Sequence, residues 1–168
     1  ITFTGGTKTG AEIARVAGPM FKKLSLELGG KNPNIVFADA DMSKAIPMSV
    51  RAAFANQGQI CLCGSRVFVE RSIHDEFAAK FVEQTKQLRI GDPLDEGTQF
   101  GALSSKQHMD KVLSYIELAK KEGGRILCGG KRPSSLPERC REGDFIEPTV
   151  IAGLDANCRT NTEEIFGP

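Results

Sequence analysis

Short apolar runs alternate along the chain with amphipathic stretches, a pattern typical of strands followed by helices. The apolar and β-branched runs predict strands at residues 1–4, 24–28, 35–37, 67–69, 125–128 and 145–151. Between them, apolar residues at helical spacing predict helices ending at residue 17, running from 41 toward 54, from 72 to 88 and from 104 to 119. Strands that alternate with helices indicate an α/β domain with a largely parallel sheet.

Polar residues mark the starts of several of these helices. Asp41 is a good N-cap for the second helix, and Pro47 predicts a kink or an early-turn position within it. Segments 72–75, 104–107 and 160–163 each begin with Ser or Thr and carry an acidic or amide residue three positions later, the form of a capping box. We therefore expect Glu163 to hydrogen-bond the backbone at a helix start.

Composition narrows the class of protein. The chain has 168 residues, of which 40% are hydrophobic and 26% charged, too apolar and too balanced for a disordered tail. A formal net charge of +1 predicts no nucleic-acid partner, and no apolar run is long enough to predict a membrane span. Because the chain starts at Ile1 without an initiator Met and stops at Pro168, we expect a fragment of a longer protein.

Cysteine content points to a reducing environment. Five cysteines without a secretory signal argue against a disulfide framework, so we expect a cytoplasmic protein. Cys61 and Cys63 do not form a CxxC pair, and the chain has two histidines. No zinc-ligand pattern results, and we predict no metal site.

A glycine-rich turn, GGTKTG at residues 5–10, lies between the first strand and the first helix. Free N–H groups at such a helix start attract phosphate, and glycines allow a ligand to approach the backbone closely. The turn matches neither GxGxxG nor the P-loop pattern. A plain turn that caps the helix is the alternative interpretation.

Cys61 and Glu27 are the candidate chemical groups. Cys61 lies in a small, polar, glycine-containing segment between a helix and a strand, which suits an accessible thiolate near backbone N–H donors. A buried structural thiol is the alternative, and the local signature of a papain-like Cys–His pair is absent. Glu27 ends an apolar strand, where partial desolvation would suit a general base; the alternative is an exposed carboxylate paired with Lys31.

Four motifs together resemble the NAD(P)-dependent aldehyde dehydrogenase superfamily. ELGGKNP from Glu27 is similar to its glutamate motif, and GQIC ending at Cys61 is similar to its catalytic-cysteine motif, at the usual separation of 34 residues. FTGGT at residues 3–7 resembles its cofactor loop, and EEIFGP at 163–168 its last cofactor-contact motif. The strings FANQ and ICLC around Cys61 resemble the branch that oxidises muconic semialdehydes.

The resemblance implies a mechanism. The Cys61 thiolate would attack the aldehyde carbon, hydride would pass to nicotinamide, and Glu27 would activate the water that hydrolyses the resulting thioester. The Cys61 backbone N–H, with an Asn from an earlier segment, would hold the oxyanion. For the cofactor, the resemblance implies that Gly5, Gly6, Thr7 and Gly10 face the pyrophosphate, Leu28 lies against the nicotinamide, Glu164 binds its ribose and Phe166 lies beside the ring. Many relatives carry Ser in place of Gly6. Lys111 aligns only loosely with a family position near the adenosine half of the cofactor, and we expect it at the surface.

The same resemblance implies a domain division and partners. Residues 1–30 would end an NAD-binding domain of the Rossmann type, and residues 31–168 would begin an α/β catalytic domain. The partners would be a small-molecule aldehyde and NAD, with NADP left open, and the complete protein would be a homodimer or homotetramer. Two alternatives are a non-catalytic, crystallin-like structural relative and a CoA-acylating relative. Retention of both Cys61 and Glu27 favours the hydrolytic enzyme over either of these.

Overall fold

The computed structural model describes residues 1–168, which divide into two compact units, Ile1–Gly30 and Lys31–Pro168. The strands are β1 (Thr2–Gly5), β2 (Ser25–Leu28), β3 (Pro33–Val36), β4 (Arg66–Val69), β5 (Arg125–Cys128) and β6 (Val150–Ala152). The helices are α1 (Thr7–Ala17), α2 (Met42–Phe54), α3 (His74–Lys86), α4 (Lys106–Lys121) and α5 (Arg159–Thr162). None of the helices has the length and apolar character that crossing a membrane requires.

The first unit is a strand–helix–strand crossover. β1 and β2 pair in parallel, with Thr2 opposite Ser25 and Gly5 opposite Leu28. Gly10 is buried where α1 meets β2, because a Cβ at this position would lie 2.6 Å from the Leu28 side chain. Glycine therefore lets the helix approach the strand closely, as the parallel crossover requires.

The second unit carries two apolar cores. In the first, α2 and α3 pack together with the rings of Phe54 and Phe81 6.0 Å apart and those of Phe77 and Phe81 5.8 Å apart. In the second, Met109, Val112 and Ile116 of α4 lie at helical spacing against Leu103 and Ile146. The apolar periodicity that predicted α3 and α4 therefore marks the buried faces of both helices.

The α/β class is confirmed, but no single sheet forms within this chain. β3 and β4 are parallel, with Pro33 opposite Arg66, while β5 and β6 are antiparallel with a register shift between Ile126 and Cys128. The strand predicted at 145–151 was wrong in extent, because only Val150–Ala152 is extended and paired. The segment before it is fixed instead by tertiary contacts, since Ile146 and Phe145 are both buried.

The N-caps observed at the helix starts agree only in part with those predicted from the sequence. Asp41 caps α2 as predicted, accepting a hydrogen bond from the Ser43 N–H at 3.0 Å. The capping box at 72–75 was wrong, because α3 begins at His74 and the Ser72 hydroxyl donates to Glu70 instead. The cap predicted at 104–107 was misplaced by one residue, since Ser105 rather than Ser104 accepts the His108 N–H at 3.2 Å.

Candidate active site

The Cys61 segment begins with an unusual backbone. Immediately after α2, Asn56, Gln57 and Gly58 have φ values of 48°, 57° and 69°, three consecutive residues in the left-handed region. Only glycine adopts this region without steric cost, so Asn56 and Gln57 are strained positions that the surrounding contacts must stabilise. The Gln59 side chain supplies one such contact by accepting the Ser104 N–H at 3.0 Å.

Cys61 lies at the tip of a turn. The Cys63 N–H donates to the Ile60 carbonyl at 3.0 Å and closes the turn, and the Cys61 side chain is exposed. The backbone N–H of Cys61 makes no hydrogen bond within the chain. The predicted accessibility of this thiol is therefore confirmed, and the buried structural thiol is excluded as its explanation.

Asn32 holds this turn in place. Its side-chain amide donates to the carbonyl of Cys61 at 2.5 Å and to that of Cys63 at 3.2 Å. One side chain therefore orients two of the turn's peptide groups through their carbonyl oxygens. The role of Asn32 was not predicted, although this residue stands inside the ELGGKNP motif.

Cys63 is the neighbour that could be confused with Cys61. The two thiols do not share a face, because the segment is a turn rather than a strand: Cys63 is only 7% exposed. Burial raises the pKa of the Cys63 thiol and disfavours its thiolate. Cys63 is a packing residue, and Cys61 is the thiol that a solute can reach.

Glu27 differs from its predicted environment. It is exposed on β2, so the partial desolvation expected from the apolar strand was wrong for this chain. Alternation explains the difference, because in β2 the neighbours Leu26 and Leu28 are half-buried while Ser25 and Glu27 face outward. The carboxylate is thus available to solvent and to a ligand.

The glycine-rich turn leaves the start of α1 open. Gly6 is the N-cap residue, no side chain caps the helix, and the first turn has no acidic residue. A Cβ at Gly6 would meet nothing within 4 Å, and Gly5, Gly6 and Thr7 are all exposed. The first N–H groups of an 11-residue helix are therefore accessible to an anion.

The EEIFGP segment contacts the backbone that precedes Cys61. A Cβ at Gly58 would collide with the carbonyl of Gly167, and one at Gly167 would collide with Val112 of α4. The structure thus brings together two motifs separated by about a hundred residues, the cysteine segment and the C-terminal segment. Phe166, two residues from the end, has a left-handed φ of 62° and is 36% exposed.

Glu163 does not cap a helix, so that prediction was wrong. α5 starts at Arg159, and the carboxylate of Glu122, at the end of α4, accepts the N–H groups of Arg159 and Thr160 at 3.0 and 3.1 Å. Glu163 instead follows α5. It receives two hydrogen bonds from Arg159 and one from the Tyr115 hydroxyl, and these donors lower the pKa of Glu163 to about 2.

Lys31 was predicted only as a possible ion-pair partner of Glu27. Burial, reinforced by the positive charge of Arg66, lowers the pKa of Lys31 from its ordinary 10.5 to about 8. Cys158 and Glu164 act in the opposite direction and favour the ammonium form. A partly desolvated amine thus lies within the electrostatic reach of Glu164.

Replacing Lys31 by Met should stabilise the fold most at low pH. Because the pKa of Lys31 is lower in the folded than in the unfolded chain, the unfolded chain binds more protons between about pH 8 and 10.5, and wild-type stability attributable to Lys31 rises across that range. The increase in the free energy of unfolding caused by Lys31→Met should therefore be largest below about pH 8 and absent above about pH 10.5. Urea unfolding of both proteins at several pH values measures it, with the exposed Lys121→Met as control. A gain independent of pH would contradict the prediction.

Comparison with known proteins identifies the class to which this fold and this cysteine turn belong. The sequence profile described as "Aldehyde dehydrogenase family" matches residues 1–168, and the chain belongs to this family. It is 53% identical over 169 residues to the 2-aminomuconic semialdehyde dehydrogenase of Mus musculus, covering 100% of this chain and 35% of that protein. It is 47% identical to the 5-carboxymethyl-2-hydroxymuconate semialdehyde dehydrogenase of Escherichia coli, covering 100% of this chain and 36% of that protein.

Solved structures give the same family. Betaine aldehyde dehydrogenase from Staphylococcus aureus, in complex with NAD+, superposes with a TM-score of 0.95 at 41% identity, covering 99% of this chain and 33% of that one. A putative aldehyde dehydrogenase from Burkholderia cenocepacia also has a TM-score of 0.95, at 44% identity, covering 99% of this chain and 34% of that one. The chain spans about a third of the length of the relatives it matches.

Proposed function

We propose that the full-length protein containing this chain oxidises an aldehyde to a carboxylic acid with NAD, using Cys61 as the nucleophile. The observation that carries the proposal is the exposed Cys61 thiol on a turn whose own N–H is unbonded. A thiolate and an unpaired N–H on one residue are the two groups that addition to a carbonyl requires, one for the carbon and one for the oxygen.

Cys61 and its backbone perform the first steps in this proposal. The thiolate sulfur forms a bond to the aldehyde carbon while the carbonyl π electrons move to oxygen, where the Cys61 N–H stabilises the negative charge. When bound, NAD supplies the acceptor for the hydride that leaves this carbon. The chain is then acylated as a thioester, and hydrolysis releases the acid and returns the Cys61 thiolate.

Glu27 is the proposed base for hydrolysis. An exposed carboxylate can accept a proton from water as that water attacks the thioester carbon, and it can pass the proton on to solvent. The ELGGKNP motif, 34 residues before Cys61, supports this assignment. A family member whose acyl group is transferred to CoA would have no need of this base.

The proposed pyrophosphate site is the open helix start of the first unit. We propose that Gly5, Gly6 and Thr7 bind the pyrophosphate through backbone N–H groups, since nothing else caps α1 and the space beside Gly6 is open. Gly10, which the family resemblance also assigned to the pyrophosphate, is buried against the Leu28 side chain, so we assign it to close packing of the helix instead. We assign the Leu28 backbone to the nicotinamide side. Loss of the Ser hydroxyl at position 6 leaves these N–H groups intact.

The second unit supplies the other proposed cofactor contacts. Glu164 would bind the nicotinamide ribose and Phe166 would lie beside the ring, on the segment that packs against the cysteine loop at Gly58. The NAD+ complex of the Staphylococcus aureus relative supports this choice of cofactor. On this proposal, residues 1–30 end an NAD-binding domain and residues 31–168 begin the catalytic domain.

The relatives, the exposed apolar residues and the cysteines support proposals for the substrate class, the assembly and the compartment. Two of the relatives are named for muconic semialdehydes, and we propose this substrate class. Ile35 and Phe68, opposite each other on β3 and β4, are 59% and 48% exposed, and we propose that further segments or subunits of a homodimer or homotetramer cover them. All five cysteines are free, which supports a reducing compartment such as the cytoplasm.

A substrate panel tests the proposal. The full-length protein should form NADH from a muconic semialdehyde with a higher kcat/KM than from a retinal-type or a short aliphatic aldehyde, and without added CoA. Initial rates with NAD and then NADP give the cofactor preference. Failure of every aldehyde to yield NADH would overturn the proposed activity and favour a structural role, while a requirement for CoA would favour the acylating alternative.

A further inference from the structure

Asn32 joins the two motifs that carry the proposed chemistry. It belongs to ELGGKNP, and its side-chain amide donates to the carbonyls of Cys61 and Cys63 at 2.5 and 3.2 Å. A primary amide carries two hydrogens on one nitrogen, so a single side chain can serve both acceptors. The glutamate motif therefore clamps the turn on which the proposed nucleophile of the cysteine motif lies.

This clamp complements the hydrogen bond that closes the turn. The Cys63 N–H donates to the Ile60 carbonyl at 3.0 Å, and that carbonyl shares a trans peptide group with the Cys61 N–H. The Cys61 carbonyl, which accepts from Asn32, belongs to the next peptide group along the chain. Hydrogen bonds therefore hold the peptide groups on both sides of the Cys61 Cα, and rotation about the Cα–Cβ bond is the freedom left to the thiol.

Asn32 is itself anchored by the start of the β3–β4 pair. It lies directly before Pro33, the first residue of β3, and a residue before proline is restricted to extended conformations. Its carbonyl accepts the backbone N–H of Arg66, the first residue of β4, at 3.1 Å, and the Arg66 guanidinium donates to the neighbouring Lys31 carbonyl. The donor side of the clamp is thus fixed to paired strands, and it can impose its geometry on the turn.

We propose that Asn32 is a positioning residue that holds Cys61 in the orientation needed for attack on the substrate carbonyl. The inference rests on the proposed function, in which the Cys61 sulfur bonds to the aldehyde carbon and the Cys61 N–H stabilises the oxygen. Sulfur and N–H must reach two adjacent substrate atoms at once, so their mutual orientation sets the rate of this step. Asn32 hydrogen-bonds neither group, and its contribution passes through the backbone of the turn.

Removal of the amide should slow acylation specifically. In the full-length protein, Asn32→Ala should lower the rate of the first burst of NADH by about 10- to 100-fold, since a misplacement of about 1 Å can cost about 10²-fold in rate. The Kd for NAD, measured by calorimetry, should change little. Asn32→Asp, whose carboxylate has no hydrogen to donate, should lose at least as much, and Asn32→Ser, which keeps one donor hydrogen, should fall between alanine and wild type. Asn34→Ala, which removes the same amide two positions along on β3, is the matched control and should acylate at the wild-type rate.

A second reaction of the same thiol separates positioning from a loss of reactivity. Alkylation by iodoacetamide needs a reachable thiolate and no oxyanion donor, whereas acylation needs the sulfur and the N–H together. In Asn32→Ala the alkylation rate of Cys61 should therefore change little while the burst slows. Equal slowing of both reactions would mean that Asn32 acts on the thiolate itself and would overturn the positioning role. If Asn32→Ala misfolds and binds no NAD, the same two rates in Asn32→Ser decide.

Amide hydrogen exchange supplies a readout that needs neither NAD nor turnover. The Cys63 N–H closes the turn, so its exchange should be about tenfold faster in Asn32→Ala than in wild type or Asn34→Ala, the effect of losing one to two hydrogen bonds on local opening. If wild type forms no NADH from any aldehyde, the proposed function fails together with the catalytic part of this inference, while faster exchange at Cys63 would still show that Asn32 holds the turn. If wild type oxidises an aldehyde and Asn32→Ala keeps the wild-type burst rate, the positioning role is overturned and the proposed function stands.

Discussion

Cys61→Ala should abolish aldehyde oxidation by the full-length protein, lowering kcat by about 10⁴-fold or more, because removal of a nucleophile leaves no covalent route. NAD affinity should change little, since the substitution removes one exposed sulfur and leaves the backbone turn closed by Cys63 and Ile60. NADH formation under saturating aldehyde measures the first effect, and calorimetric titration with NAD measures the second.

Cys63→Ala is the matched control for that experiment. The two cysteines stand two residues apart, but Cys63 is buried and its raised pKa disfavours a thiolate, so this variant should retain turnover. Alkylation by a small haloacetamide should likewise modify Cys61 before Cys63, Cys128 or Cys140, which are all buried. If Cys61→Ala keeps wild-type turnover and Cys63→Ala loses it, the nucleophile is Cys63 and the assignment to Cys61 is wrong.

Periodicity and local chemistry made most of the elements predictable. The apolar faces of α3 and α4 follow from helical spacing alone, and Asp41 caps α2 where the sequence places it. Errors arose where a long-range partner replaced a local one. Glu122 caps α5 from 37 residues away in sequence, so the local capping box at Thr160 was never needed and Glu163 bonds Arg159 and Tyr115 instead.

In the candidate site too, features set by local sequence were predictable and features set by long-range contacts were not. Motif spacing was sufficient to single out Cys61 and Glu27, and the roles proposed for them remain predictions. The role of Asn32 and the lowered pKa of Lys31 were not predicted, because each depends on which backbone or charge lies nearby in space. The exposure of this strand was not predicted either: Ile35 and Phe37 are 59% and 63% exposed in this chain, although both belong to an apolar run.

Glu27→Gln should separate the two halves of the proposed reaction. Glutamine keeps the size and shape of the side chain but cannot accept a proton, so thioester hydrolysis should slow by about 10²–10⁴-fold while acylation is little affected. Rapid mixing of the full-length variant with NAD and aldehyde should then give a burst of NADH, close to one per active site, followed by very slow turnover. Glu27→Asp, which keeps a carboxylate, should recover part of the steady-state rate.

The same variant distinguishes the hydrolytic enzyme from a CoA-acylating one. A thiol such as CoA is already a strong nucleophile when ionised, so its attack on the Cys61 thioester needs no water-activating carboxylate. If CoA restores full turnover to Glu27→Gln and also accelerates the wild-type protein, transfer to CoA is the natural second step. If hydroxylamine restores turnover but CoA does not, the acyl group is accessible and water is its physiological acceptor. Unchanged steady-state turnover in Glu27→Gln without any added nucleophile would remove Glu27 from the mechanism. Because Glu27 is exposed on β2 and has no packing role, a loss of turnover in this variant would not be explained by lost packing.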